Sequence, residues 1–207
     1  MKLRTMLWIG CLSAAITVSA VPAAAAMKTA MKTGCAAGCS CTPAEPTAAS
    51  NTWNFKGEAN NLFKDVQADA QNALYHADKL LSFTDSRQLS WISHAGQLNP
   101  LKQDINDMGT RLCRLETIRR VTAPWQQREI DRLANEERLM VYHTQQAIQF
   151  GDAHTRTLWL PTYQTDVTNL FNEAQALNRS VNHAVEYASV SKEYRGLAHD
   201  MGARTGL

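Results

Sequence analysis

The sequence predicts an all-α protein: an up-down-up-down antiparallel four-helix bundle behind a disordered N-terminal leader. Three observations predict it. Apolar residues recur every three or four positions in four long runs, the period of a helix with one buried face. Breaks rich in Pro, Gly and Asp-Ser separate the runs. No stretch alternates with the two-residue period of a half-buried strand.

The chain divides into residues 1–26, 27–56, 57–200 and 201–207. Lys2 and Arg4 precede an apolar run at residues 6–18, and Ala20 and residues 23–26 offer small side chains. That order is a secretory signal, so the mature protein is expected in the periplasm or secreted. The run is shorter than the roughly 20 apolar residues that cross a bilayer. No later run is apolar on every side, so no membrane span is expected once the signal is removed. Ile9-Gly10-Cys11 carries the small-residue half of a lipoprotein site. Trp8 fits such a site poorly and little apolar chain precedes it, so a lipid anchor is not expected.

Lys and Arg number 21 against 19 Asp and Glu. The excess sits in the signal, so the mature chain is near neutral. A nucleic-acid partner would call for a basic surplus, and none is expected.

Residues 27–56 form a leader rich in Ala, Thr, Pro, Ser and Gly, where Pro43 and Pro46 forbid a continuous helix. Met27, Met31, Cys35 and Cys39 lie four apart, with Cys41 close behind. Thioether and thiolate are soft ligands, so this tract is a candidate clamp for copper or zinc. It lacks the paired Cys-x-x-Cys of a zinc ribbon and the Cys-x-x-Cys-His of haem attachment. Cys35, Cys39, Cys41 and Cys113 are also an even set in an exported chain. Disulfides among them, or free thiols, are favoured over the metal.

The first helical stripe is Ala59, Phe63, Val66, Ala70, Ala73, Ala77 and Leu80, ending at Asp85-Ser86. The second is Trp91, His94, Leu98, Leu101, Ile105, Met108, Leu112 and Leu115. It keeps register across Pro100, which favours one long kinked helix. A new helix starting at Pro100 behind Asn99 is the rival. Thr122-Ala123-Pro124 stops the chain and restarts it. The third stripe, Ile130, Leu133, Glu137, Met140, Thr144 and Ala147, ends at Gly151, read as a C-terminal cap. The fourth is Tyr163, Val167, Leu170, Ala174, Leu177, Val181, Ala184 and Ala188. Its pattern decays after Lys192, and residues 201–207 are read as a frayed tail. The first and fourth stripes are rich in Ala, which lets two backbones approach.

Trp53, Trp91, Trp125 and Trp159 each sit near a helix start and are read as plugs of the bundle ends. Counting levels through the turns places His76, His94 and His154 at one end of the rod. That trio is a weak candidate for zinc or copper, and the better reading of His94 is a core histidine with one hydrogen bond. Glu137 is read as paired with an arginine or reaching the rim. The Glu-x-x-His of di-iron bundles is absent, and His183 and Glu186 stand in the reverse order. No Gly-x-Ser-x-Gly, phosphate loop or His-Glu-x-x-His occurs. No catalytic or cofactor-binding residue is therefore named. The function expected is a non-enzymatic structural or interaction module with an unknown protein partner.

Asn106-Asp107-Met108-Gly109, Leu112, Leu115 and Arg119, followed by Ala123-Pro124-Trp125-Gln126-Gln127 and Ile130-Asp131-Arg132, carry a resemblance. They look like a family of exported bacterial helical-bundle proteins without an assigned function. The resemblance implies the bundle and export. It implies no site residues, and the Cys/Met leader lies outside it.

Overall fold

The computed structural model describes residues 54–205, with side chains described over 54–201. Four helices pack against one another: α1 (Phe55–Thr84), α2 (Trp91–Ile118), α3 (Pro124–Ala153) and α4 (Pro161–Thr205). A 3-10 turn, Arg119–Val121, closes α2. Among the described residues there is no strand. No helix there is long and apolar enough to cross a membrane.

The starts of α1 and α3 have a physical reason. Asn54 caps α1 by accepting the Gly57 amide at 2.9 Å. Pro124 occupies the first turn of α3, where its missing N–H costs nothing. The α2 helix runs unbroken through Pro100. The carbonyl that loses its partner there belongs to Gly96, which is exposed and can turn to water. The single long second helix is therefore the observed form.

The stripes read from the sequence form the interior. Phe63, Leu98, Ile105, Leu133, Leu170 and Val181 are fully buried. At about 25 cal/mol per Å² of apolar surface, burial of such side chains is the main favourable term in folding. Helix α1 packs on α2 and α4, and α3 packs on α4 and α2. Contacts between neighbours run in opposite sequence order. Glu58 meets Arg114 while His76 meets Gln97, and Gln67 meets Asn182 while Thr84 meets Gln164.

Two local expectations are corrected. Gly151 does not cap α3, which continues to Ala153 with His154 as its cap. Gly151 is instead buried under the Trp91 ring. The tryptophan plugs hold at Trp91 and Trp125, but Trp159 is exposed, and Trp53 lies outside the described residues. The helix of α4 is described to Thr205.

The length of α4 matters most. It has 45 residues where α1 has 30. Ala188 is the last residue of α4 in the core, and residues 192–201 are all exposed. Thr84 meets Gln164 and Gln67 meets Asn182, so the start of α1 is level with about residue 194 of α4, and α4 overhangs α1 by about 16 Å at 1.5 Å per residue.

Candidate functional site

The histidines gather only in part. His94 is buried and joined to the Tyr163 hydroxyl at 3.0 Å, in a direction set by the imidazole tautomer. Phe83 lies edge-on to the His94 ring, and Phe150 lies between Tyr163 and the stacked His154. His154 and His94 thus share one aromatic cluster. His76 stands outside it, bonded to Gln97 and 4.0 Å from Asp104. The three rings do not converge, so the trio is withdrawn as a metal site. Burial lowers the proton affinity of His94 and raises that of Tyr163. The pair is buried from solvent.

A charged strip lies between α1 and α2. Asp69 is buried and bound by Arg111. Burial pushes the Asp69 carboxyl up to about 6; Arg111 opposes this, while Asp107, Asp104 and Asp65 reinforce it. Asp104 is also raised by burial, with His76 pulling it down. Between α3 and α4, the Ser180 hydroxyl donates to Glu136 at 2.9 Å, and burial raises Glu136. His143 sits 3.7 Å from Asp166 on the same seam. Among the described residues, no three such groups converge in a way that would hold a metal ion.

The sequence candidates fall as follows. Met31, Cys35, Cys39 and Cys41 lie outside the described residues, as do the signal and the leader. Cys113 is half-buried on α2, beside Arg114, which reaches Glu58 in the first turn of α1. Glu137 is buried and engaged, so it does not reach the rim. His183 and Glu186 are exposed and line a shallow depression beside Trp125.

The surface feature that stands apart is on the overhang of α4. Tyr187, Val190, Tyr194, Leu197 and Met201 are all exposed, and Tyr194 is 73% exposed. Their steps of three, four, three and four place them along one side of the helix. The stripe is anchored where Tyr187 meets Trp125, with ring centroids 4.8 Å apart. From there it runs off the end of the bundle. Glu186, Glu193 and Asp200 recur every seven residues along one margin; Ser191 and Ala198 line the other.

A second feature lies around the helix from it. A groove of about 750 Å³ between the start of α1 and the end of α4 is lined by Lys56, Lys64, Lys192 and Arg195, with Asn60 and Asn61 between them. Beneath both features, Gln126 ties the bundle end together. It is 1% exposed, accepts the Ala123 amide at 2.8 Å, and donates to the Lys56 carbonyl and Asn60.

Sequence reasoning missed the stripe, the groove and Gln126. The stripe had a signal, its unbroken three-four spacing beyond Ala188. Comparison with family models, with curated proteins and with solved structures finds no match to this chain.

Proposed function

We propose that this chain is an exported, non-enzymatic bundle whose four helices run up-down-up-down, and that the overhang of α4 docks an amphipathic helix of a partner protein. The reading rests on the stripe Tyr187, Val190, Tyr194, Leu197 and Met201. A helix that needed only to flank α1 would end near residue 194. This one continues, keeps its register and carries aromatic and aliphatic side chains into water. Exposed apolar stripes of this kind mark interaction surfaces, and i, i+3, i+7 anchors are how a helix reads a helix.

The margins identify the occupant. In an antiparallel pairing of two copies, Glu193 of one overhang would face Asp200 of the other, a like-charge contact. A helix bearing Lys or Arg along that margin turns the contact into attraction. The small Ser191 and Ala198 on the other margin allow close approach. The partner is therefore a basic-flanked amphipathic helix. The leader is bridged to the bundle at Cys113 by one of Cys35, Cys39 and Cys41. The half-buried site beside the start of α1 supports that bridge.

The test uses the exported full chain and two synthetic three-heptad peptides, with Leu at both core positions and either Lys or Glu at both flanks. The Lys peptide is expected to bind at least about tenfold more tightly, a difference of 1.4 kcal/mol. The double variant Tyr194→Asp, Leu197→Asp is expected to abolish binding while leaving the melting temperature unchanged. Equal binding of the two peptides, or binding that survives the double variant, overturns the reading. So does concentration-dependent dimerisation that the same variant removes.

A further inference from the structure

The groove between α1 and α4 is lined by cations from both helices. Four arginines elsewhere are paired: Arg111 holds Asp69, Arg114 holds Glu58, Arg119 holds Asp131 and Arg132 holds Glu129. Lys56, Lys64, Lys192 and Arg195 line one groove, and no carboxylate lines it with them. Among the described residues none of these four is in an ion pair. The Arg195 Nε–H donates to the Ser191 carbonyl at 3.1 Å, which holds the guanidinium side chain against its own helix. The nearest acids on α1, Glu58 and Asp65, line the adjoining depression, and Glu58 is already bound to Arg114. On α4, Glu193 belongs to the margin of the apolar stripe.

In a chain with almost equal numbers of acids and bases, four unpaired cations from two helices far apart in sequence are an arrangement made by the fold. Each unbalanced charge raises the local potential and draws anions. Asn60 and Asn61 add amide donors on the floor. The ligand must be flexible and carry several charges. Lys56 and Lys64 are about 12 Å apart along the helix axis. The groove's own lining has no aromatic side chain on which a base could stack; Trp125, Tyr187 and Tyr194 lie in the neighbouring depression, so a single-stranded oligonucleotide is one arm of the test.

We infer that this groove binds a short phosphate-bearing oligoanion through Lys56, Lys64, Lys192 and Arg195. Lys56 and Arg195 also line the depression beside Tyr187 and Tyr194, whereas Lys64 and Lys192 do not, so the Lys64→Gln, Lys192→Gln variant reads this site apart from the apolar stripe.

Calorimetric titration of tripolyphosphate into the exported full chain tests this, with inorganic phosphate, a single-stranded oligonucleotide and phosphatidylglycerol vesicles in parallel arms. Tripolyphosphate is expected to bind more tightly than phosphate. Its affinity should fall at least about tenfold as salt is raised from roughly 50 to 200 mM. Lys64→Gln with Lys192→Gln should weaken it at least about tenfold, and so should Lys56→Gln with Arg195→Gln. Lys79→Gln, a control site beside Tyr75, should leave it unchanged. All these side chains are exposed, so melting temperatures should hold. The inference is overturned if tripolyphosphate does not bind or binds both double variants as well as the wild type. It is equally overturned if the oligonucleotide or the vesicles bind more tightly.

Discussion

Trp91 and Gly151 share one seat: the first residue of α2 lays its indole where a β-carbon on Gly151 would stand. A helix-interior Gly usually gains up to about 1 kcal/mol when replaced by Ala. Here the added methyl group falls inside an aromatic ring. Gly151→Ala is expected to cost about 1–3 kcal/mol through overpacking. Trp91→Leu should restore most of the Gly151→Ala loss in the double variant, because the ring is the obstacle. Urea denaturation of the four proteins measures the coupling. Additive losses would place the clash elsewhere.

The His94–Tyr163 hydrogen bond gives a pH dependence of known sign. Burial holds the folded-state pKa of His94 below its unfolded value near 6.5. The unfolded chain therefore binds the proton first, and stability falls as pH drops below about 6.5. Tyr163→Phe should cost about 1–3 kcal/mol at pH 7 by leaving a buried nitrogen without its partner. The double variant His94→Leu, Tyr163→Phe should lose less stability than the wild type between pH 7 and pH 5. Chemical denaturation at both values reads the difference.

Asp69 works in the opposite sense. Its folded pKa of about 6 lies above the ordinary 3.8, so the fold prefers the protonated carboxyl. That contribution is complete below pH 3.8 and is lost as pH rises through about 6. Asp69→Asn removes it. The variant is expected to gain on the wild type as pH goes from 4 to 7, by at most about 3 kcal/mol if the whole shift is expressed. A melting series across that range decides it; a gap that narrows with rising pH contradicts the assignment.

The end of the bundle below the overhang depends on Gln126. Gln126→Leu leaves the Ala123 amide, the Lys56 carbonyl and Asn60 without this partner. A loss of about 2–3 kcal/mol is expected. Loss of the Trp125 fluorescence signal at lower denaturant than the far-ultraviolet signal would show that this end opens first.

What the sequence made legible was whatever depends on local period. The stripes from Ala59 to Leu80 and from Trp91 to Leu115 reappear as buried faces, and the breaks at Asp85 and Ala123-Pro124 reappear as turns. His94 as a core histidine with one hydrogen bond was legible too, because a single polar group on an apolar stripe needs one partner. Gly151 was misread because Gly at a helix end is ambiguous until its neighbour in space is known. Gln126 was passed over since its partners lie on another helix. The overhang was hidden by treating chain ends as frayed. The basic groove was invisible because its cations come from residues 56–64 and 192–195, and the total charge conceals them. Residues 27–41 kept their soft-ligand pattern and lie outside the described residues.

Hydrogen exchange along α4, with and without the Lys-flanked peptide, tests the central claim most directly. The account predicts that amides of residues 187–201 exchange faster than those of residues 163–184 in the free protein. It predicts that the peptide slows them, and that protection elsewhere is unchanged. Exchange at residues 187–201 that the peptide does not alter, or new protection confined to the α1–α2 face, would contradict it.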